Sequence, residues 1–398
     1  MPSFSFKKEV EVRVVHGTTP TRYKIDVSNI EFGQTFRETS YAVKTLHNQS
    51  SFEGSVINRA NPAEFSLSFY LLKEDTHKVL FDRLLDCETF DLYISNPGGN
   101  PLGTQPDPIP DEVWKLEKCV IQEGTFEING SRPLRLAITG EAKKLSKFTE
   151  AIPGGSDPTP TTSTYIVPDL STFTLGSDDV SKGIIGMSVS LQNDIKWNNY
   201  NTVQGATTAT NAATSQYPEN FSVGTKVLSG TISKYLEDES TSVLTWNNNT
   251  SLRLRAGKDI GRTVVSVAIT HQGAGYTTGA PVVTISGGGG SGATVTAALS
   301  SGENFNVVGG LTITNPGSGY TSNPVLTIAQ PPFGGSGSQA TGTATISAEK
   351  VVYGVDFNIT NCSFTNRMST PDVFREEYNW RMTQNPTALS SVITYTTT

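Results

Sequence analysis

The chain has 398 residues, 36% of them hydrophobic and only 17% charged, with 37 glycines and 21 prolines. That length allows two or three domains with sizeable cores, and the composition excludes helical bundles and coiled coils, which need Ala, Leu, Glu and Lys. Thirty Lys and Arg against 37 Asp and Glu leave a net charge of −7, which excludes a protein that grips nucleic acid through an electropositive stripe.

No apolar run approaches the ~18 residues of a membrane span. The segment Met1–Lys8 turns charged before any apolar core of a signal peptide appears, so the expectation is a chain without a secretory signal, assembled in a cytoplasm. Cys87, Cys119 and Cys362 are odd in number and widely spaced, which reads as buried reduced thiols rather than a disulfide framework.

Residues 1–150 hold most of the charge. Val10-Glu11-Val12-Arg13-Val14, Ile25-Asp26-Val27 and Phe65-Ser66-Leu67-Ser68-Phe69 alternate apolar and polar residues, the period of half-buried antiparallel strands. One helix is expected where Asp75 or Thr76 can cap a segment with Val79, Leu80, Phe81, Leu84 and Leu85 on one face. A strand at Phe90–Ile94, a loop from Asn96 to Asp111 with five prolines, and strands between Trp114 and Thr139 follow. Residues 151–164, rich in Pro, Gly, Thr and Ser, read as a linker. From 165 strands resume, with Met187-Ser188-Val189-Ser190-Leu191 among them. Between 263 and 348 the only charged residue is Glu303, and the mixed composition returns after 350.

The segment 262–349 repeats internally. Gly273-Ala274-Gly275-Tyr276-Thr277 and Pro281–Ile285 are matched by Gly317-Ser318-Gly319-Tyr320-Thr321 and Pro324–Ile328, each copy ending in a Gly-rich turn and a further strand. A second, weaker duplication relates the larger blocks. At an offset of 162, Ile25 meets Met187 and Val27 meets Val189, and at 238 Ile121 meets Ile359 and Phe126 meets Phe364. The offset jumps where the first copy has its Asn96–Asp111 loop, as though 262–349 were inserted in the equivalent loop of the second copy. The expected fold is therefore mainly β: two tandem β-sandwich or barrel domains, 1–150 and 165–261 with 350–398, each with a short helix, plus an inserted Gly-rich β-repeat domain at 262–349.

Long polar stretches interrupt each copy at Arg37–Asn61 and Trp197–Gly224. Loops of that length are usually functional, and Leu46, Phe52, Tyr200 and Phe221 are their candidate inter-subunit anchors. The layout resembles the tail tube proteins of long-tailed bacteriophages, and the Gly-Tyr-Thr block is similar to β-repeats of phage virion proteins. The resemblance implies a structural virion protein: two fused tube domains, three chains per pseudo-hexameric ring, and rings stacked into a conduit for DNA ejection. Its partners would be other copies and other tail proteins, with DNA passing a lumen rich in Asp and Glu that repels phosphates. Alternatives are a distal tail or baseplate ring protein of the same fold, and a fibre or adhesin module binding host glycans through Tyr276 and Tyr320, whose other reading is packing beneath a turn.

Catalytic chemistry finds no support. His16, His47, His77 and His271 have no metal-ligand spacing, and His77 is expected on the exposed side of its helix. Gly287–Gly292 lacks the Gly-Lys-Ser/Thr of a phosphate loop and runs from strand to strand. No nucleophile elbow occurs. Arg253 and Arg255, alternating with Leu252 and Leu254, read as a solvated strand face, or else as partners for acids of a neighbouring subunit. No catalytic, cofactor or metal residue is assigned.

Overall fold

Period-two sequences bury one side of each strand, and pairing between them satisfies the backbone. The computed structural model describes residues 10–397 apart from 42–43, 46–47, 50–53, 97–111, 131, 156–163, 199–216, 237–245, 278, 302–305, 333–336, 349, 351, 371–372, 385 and 387. The protein is mainly β and sandwich-like, with one short α-helix among the described residues. It divides into two compact units, Met1–Ala256 with Gly354–Thr398, and Gly257–Tyr353.

The first unit opens with β1 (Glu11–His16), β2 (Thr21–Ile25), β3 (Val27–Gly33), β4 (Phe36–Tyr41), β5 (Lys44–Thr45), β6 (Asn48–Gln49), β7 (Gly54–Ala60) and β8 (Ala63–Tyr70). Helix α1 (Lys78–Asp86) follows, then β9 (Phe90–Asn96), β10 (Glu112–Asn129), β11 (Arg135–Ala142) and β12 (Lys144–Phe148). Next come β13 (Leu170–Leu175), β14 (Asp178–Asp179), β15 (Ile184–Trp197), β16 (Phe221–Tyr235) and β17 (Trp246–Asp259). The second unit holds β18 (Val264–His271), β19 (Val283–Ser286), β20 (Ser291–Ser300), β21 (Val307–Ser318), β22 (Val325–Ile328) and β23 (Thr341–Ile346). The chain returns to the first unit with β24 (Val352–Ser369), β25 (Arg375–Met382) and β26 (Ile393–Thr396).

The pairing order of the first half recurs in the second. In the first it runs β2-β1-β9-β10-β11-β8-β3, with β12 also on β10; in the second it runs β14-β13-β17-β24-β25-β16-β15, with β26 also on β24. β10 is long enough to serve two sheets. Its residues up to Cys119 pair with β9 and β12, and from Val120 it pairs with β11 and then β15. Lys118, at φ 51, and a register shift between Leu116 and Cys119 turn the strand from one sheet into the other. The two halves join at the β10·β15 pair, Glu123↔Gln192 to Asn129↔Gly186. They share one core, in which the ring of Phe126 meets Phe81 of α1 at 6.0 Å and Phe357 of β24 at 5.3 Å.

Helix α1 buries Val79, Leu80, Phe81 and Leu84, as its apolar spacing predicts. It packs so close to β10 that a Cβ on Gly124 would lie 2.3 Å from Leu84 Cδ2. The second half receives its C-terminal carbonyls: Asn193 Nδ2 donates to Leu84 O at 3.0 Å and Ile121 O at 3.1 Å, and Lys226 Nζ donates to Leu85 O at 2.6 Å. The bonds to Leu84 and Leu85 satisfy acceptors that every helix end leaves open, and the bond to Ile121 ties the same amide to β10.

Several expectations change. His77 is 1% exposed, with Nδ1 against Tyr70 O at 2.8 Å and Nε2 accepting the Asp26 N–H at 3.1 Å; its ring closes the helix entry instead of facing water. Arg253 and Arg255 reach Asp356 of the same chain at 3.0 and 3.5 Å, because β17 and β24 are sheet neighbours. The described part of Arg37–Asn61 is a hairpin, with β4 on β7 and β5 on β6. In the stretch expected as a linker, Ile152 packs beside Val15, Tyr93 and Val113. The short helix expected in the second copy, starting near Ser240 where the first copy has Thr76, falls outside the described residues.

In the second unit the two repeats interlock: β18 pairs with β23, β19 with β22 and β20 with β21. Tyr276 and Tyr320, 1% and 3% exposed, are central to its core. Tyr276 Oη donates to Ala329 O at 3.1 Å and accepts the Ala340 N–H at 2.9 Å. Tyr320 covers the turn at Gly288–Gly290, where a Cβ on Gly290 would come within 2.5 Å of Tyr320 Cγ. Buried phenols that hold turns cannot stack on a glycan, so their expected role at the decoration surface is corrected to packing.

Candidate assembly surface

Eight strands of the first unit run in one sheet path, β3-β8-β11-β10-β15-β16-β25-β24. The registers let each cross-strand row be read across it. One row is Asn29–Ser68–Ala137–Thr125–Ser190–Ser229–Arg381–Ser363, and the row beside it is Tyr70–Arg135–Glu127–Ser188–Thr231–Asn379–Thr365. Between them lies a row of opposite facing, Val27–Phe69–Leu136–Phe126–Val189–Gly230–Trp380–Phe364, which belongs to the core from Phe69 onward. The sheet thus has one apolar side and one continuous side of hydroxyl, amide and charged groups.

Short hydrogen bonds knit the polar side. Ser28 and Ser68 hydroxyls meet at 2.8 Å, Arg135 donates to Ser68 Oγ and Glu127 Oε2, each at 3.0 Å, and Ser190 donates to Glu123 Oε1 at 2.8 Å. The link from Ser188 to Thr231, 2.8 Å, continues them into the second half. Acids gather in the first half, at Glu31, Glu64, Glu123, Glu127 and Glu141. Glu64 and Glu141 are directly opposite; burial pushes the Glu141 carboxyl up and the neighbouring Glu64 charge adds to the shift. In the second half, Arg367, Arg375 and Arg381 share β24 and β25 with Glu377. The carboxylates of this side are therefore concentrated in the first half.

The sheet path ends at β3, whose neighbour among the described residues is β8 alone. A half-buried strand with one unfilled side invites another chain. Beyond its inward-facing Ile30, β3 carries Phe32, 36% exposed, and the chain continues to Phe36, 49% exposed. None of these residues stands out in the sequence, because an edge strand alternates just as an interior strand does.

Of the loop anchors named from the sequence, Leu46, Phe52 and Tyr200 lie outside the described residues. Phe221 packs on Trp197, ring centroids 5.2 Å apart, at the root of the β15–β16 extension. Among the described residues no group of His, Cys, Asp and Glu gathers as metal ligands, and Cys87, Cys119 and Cys362 are buried free thiols.

A family model described as the Bacteriophage Baseplate Tube Protein Family matches residues 3–259, more than half of the chain. The chain belongs to that family. It is a structural protein of the phage tail and baseplate, a component of the virion that associates with other tail proteins. The baseplate tube family match ends where β17 ends and close to where the second unit begins. No curated protein matches the chain.

Proposed function

We propose that the chain is two fused tube modules, 1–150 and 165–261 with 350–398 joined through 151–164, and that three copies close a ring of six modules. Rings stack into the baseplate tube through which DNA passes. The observation that carries this reading is the recurrence of one eight-strand pairing order in both halves, with the halves already joined edge to edge by β10 and β15. Such a joint is half of a cyclic interface built into one polypeptide, and closed cyclic symmetry removes the edges that remain.

In this reading the polar side of the eight-strand path lines the bore. Its carboxylates, gathered in the first half, repel phosphates and its hydroxyls carry no charge to hold them, which suits a conduit, while the arginines of β24 and β25 are the attractive groups of the same side. The hairpin at β4–β7 and the segment between β15 and β16 bridge successive rings. Residues 262–349 form a decoration inserted between β17 and β24. The family description keeps a baseplate ring close to this proposal, since a short tube segment is such a ring. The adhesin reading loses its residues, because Tyr276 and Tyr320 are interior.

Electron microscopy of the purified chain tests the proposal. Stacked rings of even bore are expected. Elongated spikes, or single chains at every concentration, would overturn it, as would tight binding of duplex DNA at ~150 mM salt.

A further inference from the structure

The internal joint offers a geometry that a second copy could repeat at the strand edge left by β3. In the repeated pairing order β15 corresponds to β3, and β10 corresponds to β24. β15 is paired on both sides, with β16 and with β10. Strand β3 has the β8 pairing, the counterpart of β16, and lacks the other among the described residues.

The registers make the correspondence residue by residue. Val27–Phe69–Leu136–Phe126 in the first half matches Val189–Gly230–Trp380–Phe364 in the second, and Asn29–Ser68–Ala137–Thr125 matches Ser190–Ser229–Arg381–Ser363. The apolar volume is conserved by exchange: Phe69 beside Leu136 becomes Gly230 beside Trp380, whose ring comes to 2.7 Å from a Cβ built on Gly230. In the internal joint Thr125 faces Ser190 and Phe126 faces Val189.

We infer that β3 of one copy pairs antiparallel with Asn361–Arg367 of β24 in a second copy, setting Asn29 opposite Ser363 and Val27 opposite Phe364. The inference rests on the ring reading above and names its contact. Residue 28 is skipped in this register. The same skip occurs on the other side of β3, where Val27 faces Phe69 and Asn29 faces the adjacent Ser68, so one bulge serves both neighbours. β24 must accept β3 on the edge away from β25, as β10 accepts β15 on the edge away from β11.

The two joints differ in chemistry at one place. Asn193, 4% exposed, and its cross-strand partner Lys226 cap α1 in the internal joint. Their counterparts on β3 and β8 are Phe32 and Phe65. The joint between copies therefore buries the exposed Phe32 ring where the internal joint buries an amide. This gives the copies an apolar contact that the halves of one chain do not use, and it disfavours pairing of the wrong edges.

The test is thiol cross-linking in the full chain. Asn29→Cys with Ser363→Cys, mildly oxidised, is expected to give reducible two- and three-chain species at least tenfold above Asn29→Cys with Ser369→Cys, whose second thiol is displaced by ~20 Å along the strand. The native Cys362 is buried and points to the other side of β24. A second variant, Phe32→Asp, is expected to lower the assembled fraction at least tenfold at a temperature where its thermal unfolding curve shows the single chain still folded. Rings that form while the two cysteine pairs link equally, or that tolerate Phe32→Asp, would overturn the register and leave the ring reading standing. Chains that never associate would remove the ring reading and this contact with it.

Discussion

Asn193→Ala removes the amide that ties the two halves at the end of α1. Asn193 Nδ2 serves two buried carbonyls, Leu84 O at 3.0 Å and Ile121 O at 3.1 Å, and alanine leaves both without this donor. Stranding a buried acceptor costs ~1–3 kcal/mol, and the two bonds share one side chain. Part of the loss is returned, because the buried Asn193 Oδ1 has no hydrogen-bond partner among the described residues and its desolvation is relieved. The balance is a destabilisation of ~2–4 kcal/mol. Urea titration of the full chain, followed by tryptophan fluorescence, reads it as a lowered midpoint at unchanged slope. A loss below ~0.5 kcal/mol, the range of ordinary surface substitutions, would refute the claim that β15 holds the helix end.

His77 supplies a pH test. Burial lowers its pKa from the usual 6.5, so the folded chain binds fewer protons than the unfolded chain as pH falls through that value. The stability due to neutral His77 is full above ~pH 6.5 and is lost below it, by at most ~1.4 kcal/mol per pH unit. Thermal unfolding at pH 7.5 and 5.5 is expected to show a larger drop in the native chain than in His77→Gln; equal drops would contradict the burial argument. Tyr276→Phe, which strands the Ala329 carbonyl and the Ala340 N–H, is expected to destabilise the second unit by ~1–3 kcal/mol in calorimetry while the first unit melts unchanged. Replacing 262–349 with a short Gly-Ser turn is expected to leave ring formation intact by electron microscopy, and loss of rings would refute its role as decoration. Deleting Arg37–Asn61 is expected to leave soluble rings that do not stack, measured by sedimentation; tubes of normal length would exclude that hairpin from ring-to-ring contact.

Much of this fold is written in local periodicity. The alternation at Phe65–Phe69 and Met187–Leu191 marks β8 and β15, and the spacing from Val79 to Leu84 marks α1, because one-sided burial imposes a period on each. The Gly-Tyr-Thr repeats mark paired turns, where glycine permits the left-handed backbone of Gly288 and tyrosine covers it. What periodicity leaves out is the identity of the neighbour. Nothing in Ser188–Gln192 indicates that β10 of the other half is its partner, since pairing is made through backbone groups common to all residues. The hairpin of β4 to β7 is hard to read for a related reason: Phe36–Tyr41 and Gly54–Ala60 carry no sustained apolar alternation, so they resemble loops. His77 was misplaced because a helix period assigns faces only to its own turns, and the contacts that bury it come from Tyr70 and Asp26 outside the helix.

The ring proposed above holds six modules supplied by three chains. Native mass spectrometry of rings released from the assembled tube measures the number of chains directly. Three 42.7 kDa chains per ring are expected, and a ring of six chains would rule out two modules per chain.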